Sequence, residues 1–375
     1  MATLRTFSAR IIKWGAVGRW GLTTAAVRRA FMTHQARQWM PADQVRELQL
    51  VKLNALLQHA VAKVPYYRRL HKMGQMPDRI SDVGDLARVP LLDKSAIRGE
   101  PEAFLAEGSD RSQLLARHSG GSTGNVLHFF VSREAAAKSD GSEIWGDSLA
   151  GYRLGDPKVS LWGSHFDLQP GRTFRQGLSA YLSNCETVIT DRLNERLLDG
   201  ICDTIESHRP TILTGYVSPL VELARHLRGR GRRLEYPSRS VVTAAEPLSE
   251  SKRALIEEAL GRPVFNRYGT REVGLVAIEC ERREGLHLNC EDLWIDLEPS
   301  PDAPPGAGLV VATKLNEMGM PLIRYALEDY AAAKPGRCSC GRGYPTLSTI
   351  HGRVISTLWQ RDGSPVNGEV CIAIL

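Results

Sequence analysis

Between Gln44 and Leu70 the apolar positions Val45, Leu48, Leu50, Val51, Leu53, Leu56, Leu57, Ala60 and Val61 recur mostly three or four residues apart. That spacing gives a helix one apolar face, and Pro65 ends it. In ARVPLLDKSAIRG, Asp93 stands where the N-cap of a short helix belongs. VLHFFVS has the apolar and aromatic content of a strand, and the stretch from Glu134 to Leu149 reads as a helix. The middle of the chain then alternates: strands at PKVSLWGS, TVIT, TILTG, SVVTAAEPL and PVFNRYG, and helices from Leu193 to His208, Pro219 to Leu227 and Ser249 to Leu260. Alternation of this kind predicts an α/β fold with a largely parallel sheet. Ligands of such sheets bind beyond the carboxyl ends of the strands, where the loops SHFD, TGY, TAAEP and RYGTRE lie. After Gly274 the pattern changes to the short strands LVAIEC, GLHLN, LWIDLE, GLVVATKL and PLIRYAL, an antiparallel second layer of the same domain.

Composition narrows the class. A chain of 375 residues with 42% hydrophobic and 24% charged residues has an ordinary soluble composition and enough material for a sizeable core. Its net charge of +6 is spread along the chain, and no nucleic-acid-binding signature accompanies it, so no nucleic-acid partner is expected. The N-terminus is the exception: Arg5, Arg10, Lys13, Arg19, Arg28, Arg29 and Arg37 occur with no acidic residue before Asp43. Residues 1–42 therefore read as a basic helical arm, either packed on its own domain or resting peripherally on an anionic membrane surface. No run reaches transmembrane length, and no cleavage site follows a long apolar stretch, so secretion is not expected. Seven irregularly spaced cysteines fit a reducing compartment, and a cytoplasmic protein is expected.

Three groups of residues carry candidate chemistry. In RHSGGSTGNVLHF, the run Ser119, Gly120, Gly121, Ser122, Thr123, Gly124 offers hydroxyls and backbone N–H groups to an anion, or is a flexible turn. It lacks the Gly-Lys-Ser/Thr ending of a P-loop. Cys280 and His287 frame CERREGLH, and Cys338-Ser-Cys340 lies in a Gly-rich turn. Together they form a Cys₃His set suited to a structural zinc, or two unrelated pairs of cysteines. Trp162, His165, Phe166 and Tyr216 come from loops at one sheet edge and are candidates for contacts with an aryl or other hydrophobic acid. His165 reads as structural rather than as a general base.

Four motifs in order, HSGGSTGN, TAAEPLSESKRALIEEALGRPVFNRYGTRE, PLIRYALEDYA and IHGR, resemble those of the adenylate-forming enzymes, the superfamily of acyl-CoA synthetases. HAVAKVPYYRRL, VPLLDKSAIR and GLVAIECERREGLHLNCEDLW are most similar to the phenylacetate-CoA ligase-like group and its capsular polysaccharide biosynthesis proteins. The resemblance runs from about residue 40 onward. It implies a large adenylate-forming domain over residues 43–352, of mostly parallel sheet layers flanked by helices, with a small antiparallel β subdomain at about 275–350. Residues 353–375 would be the hinge and the start of a C-terminal domain.

The resemblance also implies roles. Ser119, Gly121, Ser122, Thr123 and Gly124 would hold the β- and γ-phosphates of ATP, and Glu272 would help to hold Mg²⁺. Asp329 would accept hydrogen bonds from the ribose hydroxyls; Ala244, Ala245, Glu246 and Pro247 would line the adenine, with Tyr268 on its other face. Gly269, Thr270 and Arg353 fall in the same nucleotide motifs. Some members carry a structural zinc at positions matching Cys280, His287, Cys338 and Cys340. The implied reaction is attack of a carboxylate on the α-phosphorus, followed by transfer to coenzyme A.

Departures accompany the match. Arg271 stands where the family has Thr, and its fixed charge suits either the α-phosphate or a surface ion pair. Glu328 replaces the family's Gly and adds a negative charge beside the ribose position, and Ser356 replaces a hinge Asp. The chain stops at Leu375 without the mobile C-terminal domain that brings the family's lysine. A truncated chain, a homodimer or a separate lid chain are the expectations that follow. The alternative to an enzyme is a non-catalytic nucleotide- or acid-binding accessory protein of capsular polysaccharide assembly.

Overall fold

The computed structural model describes residues 21–119, 126–162, 184–353, 357–359 and 365–367; of residues 21–24, 83 and 353 onward it describes the backbone alone. Helix α1 (Gly21–Arg37) lies against α5 (Arg133–Leu149). The two helices approach closely at Gly141, where an added Cβ would stand 2.5 Å from the Ala30 Cβ. His34 is buried there and stacks on Trp145 with ring centroids 4.6 Å apart. The part of the basic arm within the described residues is thus packed on its own domain; residues 1–20 lie outside them.

Helix α2 (Ala42–Lys63) buries Leu53, Leu56, Leu57 and Ala60. Val64 is extended, as a residue before proline tends to be, and α3 (Pro65–Lys72) starts on Pro65. Asp93 caps α4 (Lys94–Gly99), its Oδ1 accepting the Ala96 N–H at 2.8 Å. Strands β1 (Leu114–His118) and β2 (His128–Ser132) form an antiparallel hairpin, and Ser132 caps α5.

The main sheet has eleven strands. Its parallel half holds β3 (Lys158–Trp162), β4 (Cys185–Ile189), β5 (Ile212–Tyr216) and β6 (Ser240–Ala244), connected in part by α6 (Glu195–His208) and α7 (Val217–Gly229). Helix α8 (Glu250–Leu260) leads into β7 (Val264–Thr270). The antiparallel half holds β8 (Gly274–Glu279), β9 (Leu286–Leu288), β10 (Leu293–Glu298), β11 (Gly308–Lys314), β12 (Tyr325–Ala333) and β13 (Thr346–Arg353). Short strands β14 (Thr357–Trp359) and β15 (Pro365–Asn367) pair separately.

One strand joins the halves. β7 pairs in parallel with β6 through Val264–Asn266 and antiparallel with β8 through Arg267–Thr270, so the expected second layer is hydrogen-bonded to the parallel strands along a shared backbone. The candidate residues of YGTRE begin at this handover.

Strands β12 and β13 are among the elements that differ from the sequence pattern. PLIRYAL contributes only its end to β12, because Arg324 has φ +52 and buries its guanidinium on Leu86 O and Glu298 Oε1. Strand β13 was not expected; exposed Ser348, Thr349 and His351 hide its alternation. Among the described residues no helix is long and apolar enough to cross a membrane.

Candidate nucleotide site and cysteine–histidine cluster

Strand β12 meets two residues of the YGTRE segment, through Asp329 and through Tyr325. The buried Tyr268 hydroxyl, from β7, donates to Asp329 Oδ2 at 2.8 Å, so adenine and ribose candidates 61 positions apart meet directly. Asp329 also pairs in register with Arg353 of β13. Glu272 is buried, and its Oε1 lies 3.5 Å from the Tyr325 hydroxyl. Burial, with Glu272 and Glu328 nearby, pushes the Tyr325 phenol above its usual range, so it stays protonated and able to donate.

Glu328 stands where the resemblance leads one to expect glycine. Its φ is +63, in the left-handed region where glycine is the unstrained residue. Its carboxylate is engaged by Lys94 of α4, so the extra negative charge is paired.

The loops around this centre are held by their own side chains. Ser119 closes the Gly-rich hairpin: its N–H donates to Leu127 O at 2.8 Å, and its Oγ accepts the Leu127 N–H at 2.9 Å. The stem is thereby fixed, and the phosphate candidates Gly121, Ser122, Thr123 and Gly124 lie outside the described residues. Arg271 reaches to within 3.5 Å of His118 Nδ1, beside that stem. In the same turn, Thr270 Oγ1 accepts the Val273 N–H at 3.4 Å. A Cβ at Gly269 would meet Gly274 O at 2.8 Å, which is why this bulged turn needs glycine.

Past Ala244, at the end of β6, Ala245 takes φ +68. Glu246 Oε2 accepts both the N–H and the hydroxyl of Ser218 at 2.6 Å. It therefore caps α7, and not the helix that follows it in sequence. Pro247 Cγ would lie 3.5 Å from a Cβ at Gly352, which puts the TAAEP loop against the end of β13. Trp162 and Tyr216 close the neighbouring ends of β3 and β5 with ring centroids 5.0 Å apart. His165 and Phe166 lie outside the described residues.

Cys280, His287, Cys338 and Cys340 form a second centre, with ligand atoms all within 4.8 Å of one another. Cys280 Sγ and Cys338 Sγ are 3.6 Å apart, and Cys340 Sγ is 3.3 Å from His287 Nε2. Bonds of ~2.3 Å to sulfur and ~2.0 Å to nitrogen give tetrahedral edges of roughly 3.5–3.8 Å, so this donor set fits zinc. The other ring nitrogen of His287 donates to Tyr344 O at 3.0 Å, which fixes the tautomer that leaves Nε2 free to ligate. Burial keeps this imidazole below its ordinary pKa, hence neutral. With four protein ligands and no open position, such a site would staple β8, β9 and the turn before β13.

Sequence reasoning missed Lys94, Tyr325 and Tyr344. Only Lys94 had a signal, its place just after the cap Asp93; its partner is 234 positions away. Neither Tyr325 nor Tyr344 stands in a local pattern that marks its role.

No protein-family model matches the chain. A phenylacetate-coenzyme A ligase of Thermus thermophilus is 29% identical over 337 residues, covering 84% of this chain and 71% of that protein. One from Escherichia coli is 27% identical over 326 residues, covering 82% of the chain and 71% of the relative. Protein CapK of Staphylococcus aureus is 19% identical over 228 residues, 60% of the chain and 50% of that protein. Among solved structures, an open conformation of 2-hydroxyisobutyryl-CoA ligase in complex with 2-HIB-AMP and CoA superposes with a TM-score of 0.71 at 20% identity, covering 90% of this chain and 81% of that one.

Proposed function

Because the chain has the fold of the adenylate-forming enzymes and is homologous to phenylacetate-CoA ligases, we propose that it activates a carboxylic acid with ATP and passes the acyl group to coenzyme A. In the first step a carboxylate oxygen attacks the α-phosphorus and pyrophosphate leaves. In the second, the coenzyme A thiol attacks the acyl carbonyl, loses its proton, and AMP leaves. Both partners of the first step are anions, so the work of the site is alignment and charge neutralisation.

The observation that carries this reading is the meeting of Tyr268, on the strand that joins the two halves of the sheet, with Asp329 of β12 at 2.8 Å, while buried Glu272 lies by Tyr325 of the same β12. Asp329 would take the ribose hydroxyls, with Arg353 opposite it in register. Glu272 is an oxygen donor suited to Mg²⁺, a hard cation that neutralises phosphate charge when bound. Arg271 would add a fixed positive charge at the phosphates, over the stem of the Ser119 hairpin. Trp162 and Tyr216 would give the acid an aromatic wall, which suits an aryl or other hydrophobic substrate. The cysteine–histidine cluster has a structural part in this scheme: it would hold zinc and brace the antiparallel half.

The test is ATP–pyrophosphate exchange over a panel of aryl and aliphatic acids, with wild type and Glu272→Ala. Acid-dependent exchange that Glu272→Ala abolishes supports acid activation. Nucleotide binding with no exchange for any acid would overturn it in favour of a non-catalytic binding protein.

A further inference from the structure

The site contains a cation that none of the nucleotide motifs includes. Lys94, the first residue of α4, places its ammonium on Glu328 Oε2, at side-chain exposures of 17% and 35%. This pair is tied to the site by backbone as well as charge. Leu92 N–H donates to Arg324 O, and Ala326 N–H to Leu92 O, each at 2.9 Å, so the segment leading into α4 is clipped to the start of β12. Glu328 itself has φ +63 and directly precedes Asp329. A residue with a Cβ is strained there, and a free carboxylate beside the ribose position would repel the phosphates of an entering nucleotide.

Three carboxylates, those of Glu272, Glu328 and Asp329, occupy this end of the sheet. Asp329 receives the Tyr268 hydroxyl, Glu272 lies beside the Tyr325 hydroxyl, and Glu328 meets a full positive charge. Resting on the acid-activation reading, we propose that Lys94 is a positioning residue of the nucleotide site, neutralising Glu328 so that an anionic nucleotide can seat against Asp329. It acts through Glu328 and need not touch the nucleotide. The arrangement makes Glu328 tolerable where glycine would need no partner.

The proposal is tested by calorimetric titration of Mg·ATP, AMP and adenosine into wild type, Lys94→Met, Glu328→Gly and the double variant. Lys94→Met should weaken ATP and AMP roughly tenfold, the scale of one uncompensated charge several ångströms from an anion, and leave adenosine within about twofold. In the Glu328→Gly background the same lysine substitution should cost less than about twofold for every ligand. Glu328→Gln, which removes the charge and keeps the shape, should bind AMP at least as tightly as wild type. The proposal is overturned by unchanged ATP affinity in Lys94→Met, by equal losses for AMP and adenosine, by a loss that persists without Glu328, or by weakened AMP binding in Glu328→Gln. Failure of the wild-type chain itself to bind ATP or AMP would instead overturn the acid-activation reading and this proposal with it.

Discussion

Gly141 and Gly200 both lie inside helices, α5 and α6, yet the same change to alanine should move stability in opposite directions. In a helix interior alanine is better than glycine by about 0.5–1 kcal/mol. At Gly200 no neighbouring atom lies within 4 Å of the new Cβ, so the full gain is realised. At Gly141 the Cβ would stand 2.5 Å from Ala30 Cβ, 2.7 Å from Val27 O and 2.9 Å from Phe31 N. Carbon atoms prefer about 3.5–4.0 Å, so α1 must retreat by roughly 1 Å. Two of the three contacts are backbone, and no rotamer change relieves them. Overpacking of this kind costs about 1–3 kcal/mol. The retreat also opens the His34–Trp145 stack, which places the cost in the upper part of that range. After the helical gain, Gly141→Ala should lose about 1–2 kcal/mol, leaving the two variants roughly 2–3 kcal/mol apart. Urea midpoints at unchanged m-value measure this directly. A Gly141→Ala chain as stable as wild type, or shifted in the same direction as Gly200→Ala, would refute the packing of α1 on α5.

Protein purified without chelator should carry about one zinc per chain by elemental analysis. His287→Ala and Cys340→Ser should each lose it with a lowered melting temperature, and a wild-type chain that keeps its full stability metal-free would refute a structural metal. A pH dependence follows from His34, whose pKa burial lowers below 6.5 against the opposing pull of Asp292 and Glu291. The unfolded chain takes up this proton first, so the contribution of neutral His34 is complete above pH 6.5 and is lost as pH falls through 6.5 toward the folded pKa. Stability of wild type should therefore fall more steeply from pH 7.5 to 5.5 than that of His34→Phe, measured by urea unfolding; parallel slopes would contradict it.

The parts of the fold legible in the sequence are those governed by local chemistry. Asp93 caps α4, and Pro65 breaks α2 from α3, where the pattern placed them. Strand β12 begins later than its apolar run because Arg324 is held in a left-handed turn by partners on two other segments, which no local pattern encodes. Motif order brought Tyr268 and Asp329 into the candidate site, but their contact is a product of how β7 and β12 are placed. Glu246 stood in the adenine motif, yet its side chain serves the N-terminus of α7, 28 positions earlier. Lys94 acquires meaning only through Glu328, and the strain that makes Glu328 unusual is a dihedral angle, invisible in a residue name.

The measurement closest to the central claim is the melting temperature of wild type and Asp329→Ala with and without millimolar Mg·ATP. A ligand that binds only the native state stabilises it by RT ln(1 + [L]/Kd), about 2.7 kcal/mol at a hundredfold excess over Kd. The account predicts a rise of several degrees in wild type that is absent in Asp329→Ala. No rise in wild type, or an equal rise in both chains, would contradict the assignment of this site to a nucleotide.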